Sequence, residues 1–211
     1  MDPAFVVTAF VTLFVIVDPI GLTPVFVALT QGMAPQARRA VALRACLVAA
    51  GLLLVFGLAG EVLLGFIGIS MPAFQIAGGI LLFLTALDML FDRRSRRRES
   101  RADEEQHAHP QDDPSVFPLA MPLIAGPGAM ASMILLVGQT RGDWLGVLTV
   151  HLMMLVVLMV VFSLFLAAGL IERGLGRIGT LVVTRLLGML LAALSVQFVI
   201  DGMRAIGLFG L

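Results

Sequence analysis

The stretch Asp18-Pro-Ile-Gly-Leu-Thr-Pro24 decides how this chain folds, because it interrupts an apolar run from Phe5 to Leu29 that is long enough to cross a bilayer. Each proline removes a backbone donor and clashes with the preceding turn of a helix. Unpaired backbone groups in hydrocarbon cost several kcal/mol each, so irregular backbone persists there only inside protein or beside a wet cavity. The stretch therefore predicts a break in the first membrane helix and a binding site at mid-membrane.

Composition places most of the chain in the membrane. Of its 211 residues, 59% are hydrophobic and 13% are charged, with a mean hydropathy of +1.03, whereas about a quarter of a soluble domain is charged. The zero net charge does not indicate a nucleic-acid partner. The single cysteine, Cys46, offers neither a disulfide framework nor a metal cluster. We predict an all-α polytopic membrane protein without a cofactor or a metal.

Six apolar stretches each approach or exceed the ~20 residues needed to cross a bilayer. They comprise residues 5–29, 40–64, 71–91, 117–137, 145–170 and 180–206. All fourteen basic residues are arginines; twelve lie in or near the loops after the first, third and fifth spans, and two lie on the other side. Because cytoplasmic loops are enriched in basic residues, both termini are predicted to face outward, which is the periplasm in a Gram-negative cell.

The polar residues 92–116 separate the first three spans from the last three. The segment is basic at its start and acidic further on, and we interpret it as a flexible cytoplasmic linker whose arginines also contact anionic lipid head groups. His107 and His109 lie in it without a cysteine or a regular ligand spacing, so no metal site is predicted. The linker divides the chain into two transmembrane units, residues 1–91 and 117–211.

The two units show an internal repeat. Pro19 and Pro24 in the first span have the same spacing as Pro122 and Pro127 in the fourth, and Gly78 and Thr85 in the third span align with Gly188 and Ser195 in the sixth. Three spans per unit make the two units enter the membrane from opposite sides. Inverted repeats with paired broken helices are typical of secondary transporters. We predict six transmembrane helices as two inverted three-helix repeats, with helices 1 and 4 broken at mid-membrane.

Each break is predicted to restart a half-helix, with Thr23 and Gly126 as caps and Pro24 and Pro127 as first helical residues. A helix N-terminus offers free amide donors and about half a positive charge, which suits a carboxylate. The unwound carbonyls before each restart suit an ammonium group, so a small zwitterion fits both. The alternative is two kinks that serve packing only. The candidate substrate-binding residues are Asp18, Pro19, Ile20, Gly21, Leu22, Thr23, Pro24, Ala125, Gly126, Pro127, Gly128 and Ala129.

Asp18 requires an explanation of its own, because a carboxylate at mid-bilayer costs roughly 2.5–3.5 kcal/mol even on the lenient insertion scale. Three roles remain open: a helix N-cap before Pro19, a contact with a substrate ammonium, and proton coupling through a carboxyl pKa raised by burial. Candidate cavity or coupling residues are Asp18, Gln75, Thr85, Gln197 and Asp201.

Four stretches together resemble the MarC type of integral membrane protein. They are Asp18-Pro-Ile-Gly21 with Pro24, Gly68-Ile-Ser-Met-Pro-Ala-Phe-Gln-Ile-Ala-Gly-Gly79, Phe117-Pro-Leu-Ala-Met-Pro-Leu-Ile-Ala-Gly-Pro-Gly128, and Arg185-Leu-Leu-Gly188 with Val196-Gln-Phe-Val-Ile-Asp-Gly202. The resemblance covers the chain outside the linker. It implies a bacterial inner-membrane protein of six spans, related to SnatA-type transporters of small neutral amino acids and more distantly to LysE-like exporters. Carried over by position, it places the substrate region at Asp18–Pro24 and Ala125–Ala129.

The leading hypothesis is a secondary transporter of small neutral amino acids, with export as the direction considered, driven by an ion or proton gradient. No G-x-x-x-x-G-K-[ST] motif for nucleotide binding occurs, which argues against direct ATP use. A channel, a drug-efflux protein and a membrane protein without transport activity are the alternatives. No catalytic constellation is present, so we expect no enzymatic activity. The expected partners are a small neutral amino acid and membrane lipids.

Overall fold

The computed structural model describes residues 3–93, 97–98, 100 and 113–207, and its description excludes the side chains of residues 169–175 and 177. The described residues form helices without any strand, as predicted for an all-α protein. In chain order the helices are α1 (Pro3–Val17), α2 (Pro19–Leu29), α3 (Pro35–Ile67), α4 (Met71–Leu90), α5 (Ser115–Ile124), α6 (Pro127–Gln139), α7 (Trp144–Leu166) and α8 (Ala168–Ala205).

Five of the helical stretches described are long and apolar enough to cross a membrane. They are Pro3–Leu29, which joins α1 and α2, then α3, α4, α7 and the Ile178–Ala205 part of α8. Helices α5 and α6 are bent by 54° relative to each other and together provide up to a sixth span. The predicted spans are therefore found in five or six helical stretches, and the inverted repeat stays a prediction.

Local sequence explains the turn between α3 and α4. Helix α3 ends at Gly68, whose φ of 84° lies in the left-handed region that glycine adopts without steric cost. Ser70 then caps α4 by accepting a hydrogen bond from the amide of Ala73, and Pro72 stands in the first turn, where a missing donor is harmless. The turn joins the end of α3 to the start of α4 through three residues.

The two broken spans lie in the interior of the protein. In its most apolar window, Pro3–Leu29 is 56% buried, compared with 28% for α3 and for α4. Helix α6 is buried along most of its length, including Met133, Leu135 and Leu136. This is the arrangement predicted from the prolines, since backbone groups that a helix cannot pair must be kept away from lipid.

Helices α4 and α8 pack against each other through glycines. A Cβ atom added at Gly79 would lie 2.8 Å from the carbonyl oxygen of Ser195, and one added at Gly188 would lie 3.2 Å from that of Ala86. Because the lower-numbered residue of α4 meets the higher-numbered residue of α8, the two helices are antiparallel. Small residues let membrane helices approach this closely, so the third and sixth predicted spans meet backbone to backbone.

Candidate functional site

The break in the first span is centred on Asp18. Helix α1 ends at Val17, and Asp18 has a left-handed backbone with φ 56° and ψ 65°. Its Oδ1 atom accepts a hydrogen bond of 3.0 Å from the amide of Gly21, while Pro19 is the first residue of α2. Asp18 is therefore the N-cap of α2, which was one of the three roles considered for it.

The predicted restart at Thr23 and Pro24 is wrong. Thr23 lies within α2, where its hydroxyl donates to the carbonyl oxygen of Pro19 at 3.0 Å, and Pro24 lies inside the same helix with an exposed ring. Both Asp18-Pro19 and Thr23-Pro24 are cap-and-proline pairs. The break occurs at the first, where a carboxylate forms a charge-assisted hydrogen bond that a hydroxyl does not match.

The fourth span is broken more strongly. Helix α5 is a π-helix, in which backbone hydrogen bonds join residues five apart. One of them runs from the Ala125 amide to the Ala120 carbonyl at 2.8 Å. Its backbone is extended at Phe117 and Met121, and the peptide bonds before Pro118 and Pro122 are cis. Because of the extended backbone at Phe117 and Met121, α5 is not a regular α-helix.

Helix α6 begins where the sequence predicts. Gly126 is its N-cap and Pro127 its first residue. The first hydrogen bond of the helix joins the Met130 amide to the Gly126 carbonyl at 3.0 Å. The amides of Gly128 and Ala129 therefore have no acceptor within the helix, and they form the positive end of its dipole.

The two breaks meet inside the protein. A Cβ atom added at Gly128 would lie 2.9 Å from the Cδ1 atom of Ile16, so the first turn of α6 touches the last turn of α1. The end of α1 presents carbonyl oxygens and the start of α6 presents amide groups, which carry opposite partial charges. At this junction the negative end of α1 and the positive end of α6 lie next to each other.

Arg98 forms an ion pair with the negative side of this junction. Its Nη1 atom lies 3.1 Å from Oδ2 of Asp18, and its Nη2 atom donates to the carbonyl oxygen of Val17 at 3.1 Å. Both charged side chains are almost fully buried, with 6% of Arg98 and 1% of Asp18 exposed. A buried ion pair of this kind is stable only when hydrogen bonds compensate for the lost water, as they do here.

A cavity of about 130 Å³, which we call the Arg98 cavity, adjoins this pair. Four of the candidate substrate-binding residues, Gly126 to Ala129, line it, and so does the candidate coupling residue Thr85. The candidate residues of the first span are beside the cavity and not on its surface. The full lining is Ile16, Thr85, Asp88, Arg97, Arg98, Pro122, Leu123, Ile124, Gly126, Pro127, Gly128 and Ala129.

The remaining candidates of the two breaks are mostly buried packing residues. Gly21 and Leu22 are buried in α2, Ile20 is half-buried, and Ala125 is fully buried at the joint between α5 and α6. Pro19 is also buried, directly after the cap. These residues contribute to the packing around the junction and do not line the Arg98 cavity.

A second cavity of about 590 Å³ lies at the other end of α4 and α6, and we call it the Gln75 cavity. Two candidate residues, Gln75 and Asp201, line it, and a third, Gln197, lies outside the lining but donates a 2.8 Å hydrogen bond to Asp201. Its full lining is Met71, Pro72, Gln75, Leu135, Gly138, Gln139, Arg141, Asp201, Arg204 and Ala205. The candidates predicted for cavities thus divide between two separate spaces.

Apolar side chains pack between α4 and α6 in the stretch from one cavity to the other. Leu135 packs on Gly78, and Leu82 packs near Gly128, with both leucines almost fully buried. The same two helices therefore border both cavities and are in contact between them.

Sequence reasoning missed Arg98. The arginines of residues 92–116 were interpreted as linker and lipid contacts, whereas Arg98 is buried against Asp18 and its neighbour Arg97 pairs with Asp88 at 3.1 Å. A carboxylate predicted to lie at mid-membrane implies a counter-charge, and this was the signal that the sequence offered. With fourteen arginines in the chain, that signal does not say which one. His107 and His109 lie outside the described residues.

The apolar helices, the buried broken spans and the charged junction define a polytopic α-helical membrane protein with an internal polar site. The model of the MarC family of integral membrane proteins matches residues 4–207, so the chain belongs to the MarC family, as the resemblance implied. A UPF0056 membrane protein of Methanocaldococcus jannaschii is 36% identical over 97% of this chain and 98% of its own length. The UPF0056 inner membrane protein YhgN of Escherichia coli is 34% identical over 94% and 96%. No solved structure matches the chain.

Proposed function

We propose that this protein is a secondary transporter of small neutral amino acids, with export as the direction considered, and that the substrate binds at the junction of α1 and α6. The observation that carries the proposal is the meeting of two opposite helix ends around a polar cavity. The Val17 carbonyl and the Asp18 carboxylate suit an ammonium group. The amides of Gly128 and Ala129 suit a carboxylate. A zwitterion is complementary to both sides at once.

The size of the Arg98 cavity supports a small substrate. Its volume of about 130 Å³ is well below the roughly 300–1,000 Å³ of sites that hold drug-sized ligands. At the Arg98 cavity a drug-sized ligand is therefore the weaker alternative, whereas the Gln75 cavity, at about 590 Å³, is large enough for one.

The arrangement of the two cavities supports alternating access. They lie at opposite ends of the α4–α6 contact, and we infer that the buried side chains of Leu82 and Leu135 form the barrier between them. A transporter needs such a barrier, because a path open at both ends would dissipate the gradient that drives it.

The mechanism depends on the inverted repeat. The repeat pairs residue 78 with 188 and residue 85 with 195, and it requires α4 and α8 to run in opposite directions. The contacts of Gly79 with Ser195 and of Gly188 with Ala86 are compatible with that requirement, because they make the two helices antiparallel. We further propose that the protein lies in the bacterial inner membrane, which the name of YhgN states for that relative. We also propose that both termini face outward and that transport is coupled to an ion or proton gradient.

Uptake of labelled glycine and alanine into proteoliposomes tests the proposal. We expect saturable uptake that responds to an imposed ion or pH gradient. Asp18→Asn is expected to reduce the rate by at least about tenfold, which corresponds to the ~1.4 kcal/mol of a modest charged contact.

The matched control is Glu61→Gln, which removes a carboxylate from the exposed surface of α3 and should leave uptake unchanged. If Asp18→Asn keeps the rate but loses the pH response, Asp18 carries the proton. Absence of saturable flux for both amino acids would contradict the proposed function and favour the channel or the non-transporting alternative.

A further inference from the structure

We propose that the break in the first span is a cation site which Arg98 occupies as a tethered ligand, and that an ammonium group binds there in exchange for Arg98. The identity of the ammonium as part of an amino acid rests on the proposed function. The exchange itself does not, because it can be tested with a simple amine.

The break creates two oxygens that face one cation. In an uninterrupted helix the carbonyl of Val17 would accept from the amide of Gly21. That amide instead donates to Oδ1 of Asp18, so the Val17 carbonyl is available to Arg98. The second oxygen, Oδ2 of Asp18, lies 3.1 Å from the other guanidinium nitrogen. A carbonyl at a helix C-terminus and a carboxylate are both acceptors that suit an ammonium group.

Arg98 also stands between this site and the Arg98 cavity. It contacts Asp18 on one side and lines the cavity on the other, whereas Asp18 is only 1% exposed and lies outside the lining. A ligand in the cavity therefore reaches Asp18 only after Arg98 has moved.

Exchange of one cation for another avoids the cost of a bare buried carboxylate. Removal of one partner from a buried ion pair is strongly unfavourable, because water does not replace the counter-charge that is lost. When an ammonium group takes the place of Arg98, Asp18 keeps a cation at this position and the guanidinium is free to become hydrated. The site therefore holds one cation in both states, either Arg98 or a ligand.

Arg97 provides an internal comparison. It precedes Arg98 directly and forms a 3.1 Å ion pair with Asp88, but 59% of its side chain is exposed. Its pair is not in the break, so Arg97→Gln removes the same charge from the same segment without opening the cation site.

The test measures binding of glycine and of methylammonium, which has no carboxylate, to the purified full chain in lipid nanodiscs. The apparent dissociation constant equals the intrinsic one divided by the fraction of molecules whose site is open. If Arg98 fills the site in at least about nine-tenths of the molecules, Arg98→Gln should therefore lower both apparent dissociation constants by about tenfold or more. Arg97→Gln should leave both constants unchanged. Arg98→Lys, which keeps the cation but not the two-pronged contact, should give an intermediate tightening.

Two further variants make the result specific. In the Asp18→Asn background, Arg98→Gln should no longer tighten binding of either ligand. If Arg98→Gln does not fold, two other variants are measured instead. Arg98→Lys should still give an intermediate tightening, and Asp18→Asn combined with Arg98→Gln should bind no more tightly than Asp18→Asn alone.

Each other outcome is informative. Weaker glycine binding with unchanged methylammonium binding in Arg98→Gln would show that Arg98 holds the carboxylate, and would overturn the exchange. Unchanged constants, or no binding of either ligand to any variant, would overturn it as well. Tightened methylammonium binding without any glycine binding would leave the exchange standing and contradict the amino-acid substrate.

Discussion

Replacement of Gly79 by alanine tests the backbone contact between α4 and α8. The new Cβ would lie 2.8 Å from the carbonyl oxygen of Ser195 and 2.7 Å from Cγ2 of Val199. Close carbon–oxygen contacts between helices are about 3.3–3.6 Å, so the helices must separate by roughly half an ångström or bend. Because the carbonyl belongs to the backbone, it cannot rotate away as a side chain could.

The magnitude follows from two opposing effects. Overpacking of this kind typically costs about 1–3 kcal/mol, while alanine gains up to about 1 kcal/mol over glycine in helix propensity. Gly51 on α3 supplies the matched control, since a Cβ added there meets nothing within 4 Å. The propensity gain is common to both variants, so Gly79→Ala should be less stable than Gly51→Ala by about 1–3 kcal/mol.

The free energy of unfolding is measured by titration of the full chain with SDS in mixed micelles, followed by circular dichroism. Gly188→Ala should change stability in the same direction, because its Cβ would lie 3.2 Å from the Ala86 carbonyl oxygen. Equal stabilities of Gly79→Ala and Gly51→Ala would refute the close approach of α4 and α8.

Three further predictions concern other parts of the fold. Gly126→Ala should destabilise the joint of α5 and α6 by about 1–3 kcal/mol and reduce glycine uptake, because its Cβ would lie 2.6 Å from a backbone carbonyl oxygen of α5; wild-type stability and uptake would contradict this. Gly57→Ala should lower the unfolding midpoint, since its Cβ would lie 2.6 Å from Nε2 of the buried His151. Burial raises the pKa of Asp113, but hydrogen bonds from Ser115 and the ion pair with Arg44 outweigh it and hold that pKa below its ordinary value of 3.8. Because its pKa is lower in the folded state, Asp113 stabilises the fold at pH values above its ordinary pKa, and this contribution is lost as the pH falls through the folded-state pKa. For a pair this exposed the contribution is at most about 1 kcal/mol. Asp113→Asn should remove it from the pH profile of the free energy of unfolding.

Local chemistry explains how much of the site could be predicted. The cap and first residue of α6 follow from Gly126 and Pro127, and the break near Asp18 follows from two prolines in an apolar run. The position of the restart within Asp18–Pro24 could not be predicted in the same way. Two neighbouring pairs, Asp18-Pro19 and Thr23-Pro24, satisfy the same rule, and the hydrogen bond from Gly21 to Asp18 decides between them.

By itself, the sequence determined that the chain lies in a membrane and that its first and fourth spans are broken, because hydropathy and the missing proline donor act within a few residues of the chain. Only the tertiary structure decided which charge neutralises Asp18 and which helix ends meet. Arg98 is 80 residues away from Asp18 along the chain, and Gly128 is farther still from Ile16. Contacts at such separations depend on how whole helices pack, and a buried carboxylate requires a partner without specifying which one.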